Sequence, residues 1–296
     1  MIERRHFIGG AAATLIATQA CSTVTRPETF GGQAMRATIA AIEKDSGGRL
    51  GVAVYDTQSG ARFGWRADER FAMCSTFKFL LAAAVLQRVD RGEETLTREI
   101  IVTKQDIIAN SSLSEAYVGG EPATVADLCR ATMIVSDNAA ANLLLPSLGG
   151  PAGMTAMLRA MGDPVTRIDR YEPMMNSAII GDPRDTTSPQ AMLDSLDRIV
   201  LGTALSAPSR ALITGGLVDN RTGGLRLRAA LPKDWRAGDK TGTNADTTAN
   251  DLAILWPPKR APILVTSYLT ESRMDMAGWG RIHARVAAAV VAGVGA

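Results

Sequence analysis

The chain has 296 residues, 46% of them hydrophobic and 21% charged, enough apolar material for a large core in one compound domain or two. Aromatics are sparse at 5%, which favours closely packed helices over a sandwich or barrel. A formal net charge of +2 without any long basic run excludes a nucleic-acid footprint, and two histidines cannot build a zinc site of several imidazoles.

Residues 1–20 read as an export signal, with Arg4-Arg5, then Phe7-Ile8, a mild apolar run through Ile16 and small residues up to Ala20. The paired arginines and Gly-rich core fit the twin-arginine route to the periplasm; lipid anchoring at Cys21 is the alternative. A helix is expected over 29–44, a buried strand over 50–55, a turn at 56–60 and a hairpin partner at 61–66. From 75 to 216 the periodic segments are helical: a helix opening at Ser75, then 125–133, 138–148, 153–161, 189–201 and 207–215. Strands return at 235–241, 251–256 and 263–269, and a helix over 278–294 closes the chain. Its apolar tail is too short to span a membrane.

This order implies an α+β fold of the α/β-sandwich type: a mostly antiparallel sheet of about five strands, flanked by terminal helices, with an all-helical domain inserted. The expected division is a discontinuous α/β domain of residues 27–67 and 218–296, with a helical domain of residues 68–217. A cleft between the two is the natural substrate site.

Ser75 and Lys78 sit three places apart at the head of an apolar helical run, so hydroxyl and amine share one helix face. Lys78 can then accept or relay the serine proton while the helix N-terminus points at Ser75. In Ser136-Asp137-Asn138, between two helices, a hydroxyl can pass a proton and an amide can bind a carbonyl; the plain alternative is a helix cap. Lys240-Thr241-Gly242 ends a strand, where Gly permits close approach to the backbone and Lys offers positive charge to a carboxylate. His6 falls in the export signal, and His283 has no Gly-x-Ser-x-Gly elbow to serve. Any hydrolase here must take its bases from Lys or Glu. Cys74 and Cys129 read as two buried free thiols.

Ser-x-x-Lys, Ser-Asp-Asn and Lys-Thr-Gly in this order resemble a class A serine β-lactamase, across nearly the whole mature chain. Residues 170–176 and 181–187 resemble the Ω-loop of that family. The resemblance implies a serine β-lactamase/DD-peptidase-like fold, hydrolysis of penicillin- or cephalosporin-type β-lactams, no cofactor or metal, no nucleic-acid partner and a monomer. It makes Ser75 the nucleophile, Lys78 and Glu172 its bases, Ser136 the donor to the leaving nitrogen, and the backbone N–H groups of Ser75 and Thr243 the oxyanion hole. Asn176 would hold the hydrolytic water with Glu172, and an Arg170–Asp185 ion pair would close the loop. Lys240, Thr241, Thr243 and Arg226 would bind the substrate carboxylate, and Asn138 its side-chain amide. Asn110 stands where many members carry an aromatic wall, Asn244 where a partner for Cys74 would lie, and Ala82 where one for Cys129 would lie. A penicillin-binding enzyme or a β-lactam sensor shares the other elements, and Glu172 separates those readings, because only a water-activating base frees the acylated serine quickly.

Overall fold

The computed structural model describes residues 31–295, so the expected export signal and Cys21 lie outside the described residues. The main sheet has strand order β2-β1-β9-β8-β7. It comprises β1 (Arg49–Asp56), β2 (Arg62–Trp65), β7 (Arg236–Thr243), β8 (Ala249–Trp256) and β9 (Ile263–Thr270), each antiparallel to its neighbours. Four short strands, β3 (Phe71–Ala72), β4 (Glu99–Ile100), β5 (Ala123–Thr124) and β6 (Thr186–Thr187), form two outlying ladders, β3 with β6 and β4 with β5. They were not expected from the sequence, since two residues cannot display a two-residue repeat.

Successive strand residues face opposite ways, and here both faces are buried. Ala53, Ile254, Leu264 and Tyr268 look toward the helical middle of the chain, whereas Val52, Val54, Ala253 and Val265 look toward α1 (Gln33–Ser46) and α8 (Met276–Val294). That is why these strands read as near-continuous apolar runs. Helix α8 supplies Trp279, Ile282, Val286 and Val290 to the second core, as its apolar tail suggested.

The middle of the chain holds α2 (Phe77–Asp90), α3 (Val125–Ile134), α4 (Asn138–Leu144), α5 (Gly150–Ala160), α6 (Pro189–Val200) and α7 (Ala207–Val218). Every residue of α2 from Phe77 to Leu86 is buried, so it is a central helix with no solvent stripe. It begins two residues later than expected, after a 3₁₀ turn at Cys74–Thr76. The single helix expected over 138–148 is divided, α4 passing into a 3₁₀ turn at Leu145–Leu148 that ends at Gly149 with φ +82°. Pro146 lies in the first turn of that segment, and a left-handed residue ends it.

Candidate active site

Ser75 lies in the 3₁₀ turn between β3 and α2, partly exposed between the fully buried Cys74 and Thr76. Cys74 takes a left-handed φ of +45°, a conformation costly for a side chain with a Cβ and held here by surrounding bonds. Thr76 Oγ1 and N both donate to Met73 O, at 2.8 and 3.3 Å. Gly242 of β7 runs against this turn: a Cβ there would come within 2.4 Å of Met73 O and 3.0 Å of Ser75 N. The close approach that Gly permits is therefore to the turn that carries Ser75.

The first turn of α2 carries Lys78, whose Nζ lies 3.0 Å from Ser75 Oγ and 3.0 Å from Glu172 Oε1. It also donates to Ser136 O at 2.8 Å and to Asn138 Oδ1 at 2.5 Å. Burial pushes the Lys78 amine below its ordinary value, against the opposing pull of Glu172.

Ser136 occupies the tight link between α3 and α4 with φ +62°. Its Oγ accepts from Lys240 Nζ at 3.0 Å and stands 3.4 Å from Lys78 Nζ. Asp137 does what a helix cap does: its carboxylate accepts from Ala140 N, Leu113 N, Ser114 N and Ser114 Oγ, fixing α4 to the loop before it. Asn138 donates from Nδ2 to Ala109 O at 2.8 Å while its Oδ1 holds Lys78.

The loop over 170–187 reaches the same place. Met73 N donates to Asp185 O at 3.0 Å, and β3 pairs with β6 just beyond, so the loop's end is tied to the segment before Ser75. Arg170 Nε donates to Asp185 Oδ2 at 2.5 Å, and Asp185 Oδ1 accepts from the N–H groups of Asp169 and Arg170. Glu172 is 4% exposed. Its Oε2 accepts from Asn176 Nδ2, and its Oε1 lies 3.5 Å from Ser75 Oγ. Asn142, one turn into α4, brackets the Glu172 backbone, donating to its carbonyl and accepting from its N–H, both at 2.9 Å.

On β7, Lys240 is wholly buried, with Nζ bonded to Ser136 Oγ and Thr241 O. Burial, and after it the Lys78 charge, push its amine well below the ordinary range. Thr241 Oγ1 is hydrogen-bonded to Thr222 Oγ1. Arg226 is 5% exposed and turned inward, donating to Gly242 O, Asn250 O and Thr243 Oγ1 at 2.9, 2.5 and 2.5 Å. Its Nη2 thus meets the hydroxyl of Thr243, which the resemblance sets with Arg226 at the substrate carboxylate. Burial lowers its pKa and raises that of neighbouring Asp251 well above the carboxylate range.

The structure brings together Ser75, Lys78, Ser136, Asn138, Glu172, Asn176, Lys240 and Thr243, with Arg226 behind them. Sequence reasoning missed Asn142, Asn250, Asp251 and Thr222. Asn110, which stands where many members carry an aromatic, is exposed and donates from Nδ2 to Ser136 O at 2.8 Å. Cys74 and Cys129 are free and buried. The His283 ring is bonded to Ser267 Oγ at 2.8 Å and Ala249 O at 3.0 Å.

A hydroxyl, a buried amine and a buried carboxylate in mutual contact on an α+β scaffold define a serine acyl-transfer hydrolase. Comparison with known proteins narrows this class. Residues 34–293 match the Beta-lactamase enzyme family. Beta-lactamase L2 of Stenotrophomonas maltophilia is 46% identical over 278 residues, 91% of each chain. The carbapenem-hydrolyzing beta-lactamase KPC of Klebsiella oxytoca is 49% identical over 237 residues, 80% of each. Among solved structures, an ancestral class A beta-lactamase superposes with a TM-score of 0.86 at 56% identity, covering 87% of this chain and 99% of that one. A beta lactamase from Xanthomonas campestris gives a TM-score of 0.86 at 52% identity, covering 88% and 97%. The chain belongs to the β-lactamase enzyme family, and within it to class A.

Proposed function

We propose that this enzyme opens the β-lactam ring of penicillin- or cephalosporin-type antibiotics through an ester on Ser75, freed by water that Glu172 activates, and so confers resistance to them. The observation that carries this reading is the placement of Lys78 Nζ within 3.0 Å of both Ser75 Oγ and Glu172 Oε1.

Lys78 Nζ, 3.0 Å from Ser75 Oγ, is the direct acceptor of the serine proton in this reading. Ser136 O, Asn138 Oδ1 and the Glu172 carboxylate can only accept, so together they hold the three N–H groups of a Lys78 ammonium. Passing one of these protons to Glu172 leaves a neutral amine whose lone pair serves the Ser75 hydroxyl, and burial of Lys78 favours that uncharged form. As Ser75 Oγ attacks the lactam carbonyl carbon, its proton passes to Lys78. The oxyanion is held by the N–H groups of Ser75 and Thr243, each such donor contributing about 3 to 4 kcal/mol. When the C–N bond breaks, Ser136 gives its proton to the ring nitrogen and is resupplied from Lys78. Lys240 holds the Ser136 hydroxyl, while Thr241 and Thr243, the latter oriented by Arg226, receive the substrate carboxylate. Asn138 keeps one N–H for the substrate amide.

Deacylation falls to Glu172 and Asn176. Asn176 Oδ1 is buried and makes no hydrogen bond among the described residues, so it is an acceptor open to a water that Glu172 deprotonates. Hydroxide attacks the ester carbonyl, and Ser75 leaves with the proton returned to it. The Arg170–Asp185 pair keeps the loop closed around Glu172. In this reading the helical unit of residues 68–217 and the α/β unit of residues 27–67 and 218–296 form the two walls of the cleft, and residues 1–20 direct export to the periplasm. Among the described residues no helix is long and apolar enough to cross a membrane.

Time-resolved intact mass with excess benzylpenicillin, read beside loss of lactam absorbance, tests the reading. A transient or undetected adduct with many turnovers is expected. A stable one-to-one adduct without turnover would make the protein a penicillin-binding or sensor protein.

A further inference from the structure

We propose that Asn250 is a positioning residue that sets the geometry of the oxyanion hole. The inference rests on the reading above, in which the N–H groups of Ser75 and Thr243 hold the oxyanion. Asn250 is wholly buried in β8, outside the Ser75-Lys78, Ser136-Asp137-Asn138 and Lys240-Thr241-Gly242 triplets. Its Nδ2 spends both hydrogens on the chain just before the nucleophile, donating to Ala72 O at 2.8 Å and Met73 O at 3.0 Å. Its backbone stands opposite Gly242, the residue before Thr243, in the β7–β8 ladder. One residue therefore bridges the segments carrying both donors, bonded by side chain to one and paired in register by main chain with the other.

The same residue is fixed from behind. Arg226 Nη1 donates to Asn250 O and to Gly242 O, and Nη2 donates to Thr243 Oγ1, so the guanidinium ties β8 to the end of β7. Asp251, next in the chain, accepts from Leu227 N at 3.1 Å and carries the acidic group beside Arg226.

Such bracing matters because the two segments touch. The missing Cβ of Gly242 would meet both Met73 O and Ser75 N, and Cys74 between them is held at φ +45°. Without the Asn250 amide, Met73 O keeps only the bonds from Thr76 within its own turn, and that turn loses its side-chain bond to β8. Preorganised donors work only at the right separation, and a displacement of about 1 Å can cost about 100-fold in rate.

Asn250→Asp keeps the shape but turns two donors into acceptors facing two carbonyl oxygens. Asn250→Ser introduces no buried charge, keeps one short donor and decides the matter if Asn250→Asp does not fold. The acylation rate constant for benzylpenicillin should be measured per titrated active site, beside the affinity of an arylboronic acid whose tetrahedral Ser75 adduct places an oxygen between the two donors. The expected result is a fall of about 10- to 100-fold in acylation, with a parallel loss of boronate affinity, the adduct still on Ser75 and the pH profile of acylation unmoved. Per-site acylation and boronate affinity within about twofold of wild type, even with a lowered melting temperature, would overturn the assignment, since that is what a merely structural asparagine would give. Wild-type protein run alongside separates the two levels. No boronate adduct on wild-type Ser75 would overturn the catalytic reading and this assignment with it, whereas a wild-type boronate adduct with unchanged variant kinetics overturns the assignment alone.

Discussion

Lys78 Nζ and Glu172 Oε1 lie 3.0 Å apart with both side chains fully shielded from solvent, although one is on the central helix α2 and the other on a surface loop. A pair so placed can divide the reaction, the amine serving the serine hydroxyl and the carboxylate serving water. Glu172→Gln should therefore still form the Ser75 ester but hydrolyse it about 10²- to 10⁴-fold more slowly. Single-turnover mass spectrometry would show the adduct accumulating; turnover equal to wild type would remove Glu172 from its role.

The loop that presents Glu172 hangs on Asp185, which is buried and accepts from Arg170 Nε and from two backbone N–H groups. Asp185→Asn removes the nearer of the two carboxylates on the Arg170 guanidinium, leaving Asp182 at 3.7 Å, and the loss of such a charged hydrogen bond costs about 2 kcal/mol. Chemical denaturation should register that loss. Deacylation should slow more than acylation, because Glu172 rides on the loop and Ser75 does not; equal slowing of both steps would count against that division.

His283 is the one histidine among the described residues, and burial, with the nearby Arg226 charge, pushes its pKa down to about 3 from an ordinary 6.5. Ala249 O can only accept, so Nε2 carries the hydrogen and Nδ1 accepts from Ser267. The unfolded chain takes up this proton near pH 6.5 and the folded one only near pH 3. Stability contributed by the neutral ring is present above pH 6.5 and falls as pH drops toward 3, by up to about 1.4 kcal/mol per pH unit. Denaturant midpoints measured between these limits should decline less steeply in His283→Gln; identical slopes would show that other groups govern the acid limb.

Cys74 and Cys129 are shielded at 0% and 8% exposure, and burial pushes both thiols up to about 12. The thiolate is the reactive form, so native protein should leave both unmodified by iodoacetamide at neutral pH, and unfolding should make both reactive. Peptide mapping distinguishes them. Rapid native labelling at Cys74 would mean that the turn carrying Ser75 opens readily, contrary to the bracing described above.

The residues legible in the sequence are those whose chemistry depends on near neighbours. Ser75 and Lys78 share one helix face by spacing alone, and Lys240-Thr241-Gly242 declares itself at a strand end. The split sheet and its helical insertion followed from apolar runs. Asn250 carries no such signal: its partners Ala72 and Met73 lie 178 and 177 positions away, and a polar residue in an apolar strand reads only as an interruption. Asn142 is likewise an ordinary helix residue until the Glu172 backbone arrives 30 positions on. Arg226 shows the converse, its identity legible and its orientation not.

By itself the sequence pointed to the reaction class, through the resemblance that Ser-x-x-Lys, Ser-Asp-Asn, Lys-Thr-Gly and the loop carrying Glu172 bear in their order. Tertiary structure alone decided how these groups are set against one another. Burial on all sides lowers Lys78 and Lys240, the Ω-loop fold brings Glu172 to within 3.0 Å of Lys78, and Arg226 turns inward to donate to Thr243 Oγ1. The physical reason is that desolvation and hydrogen-bond direction depend on every segment packed around a group, and those segments come from all along the chain.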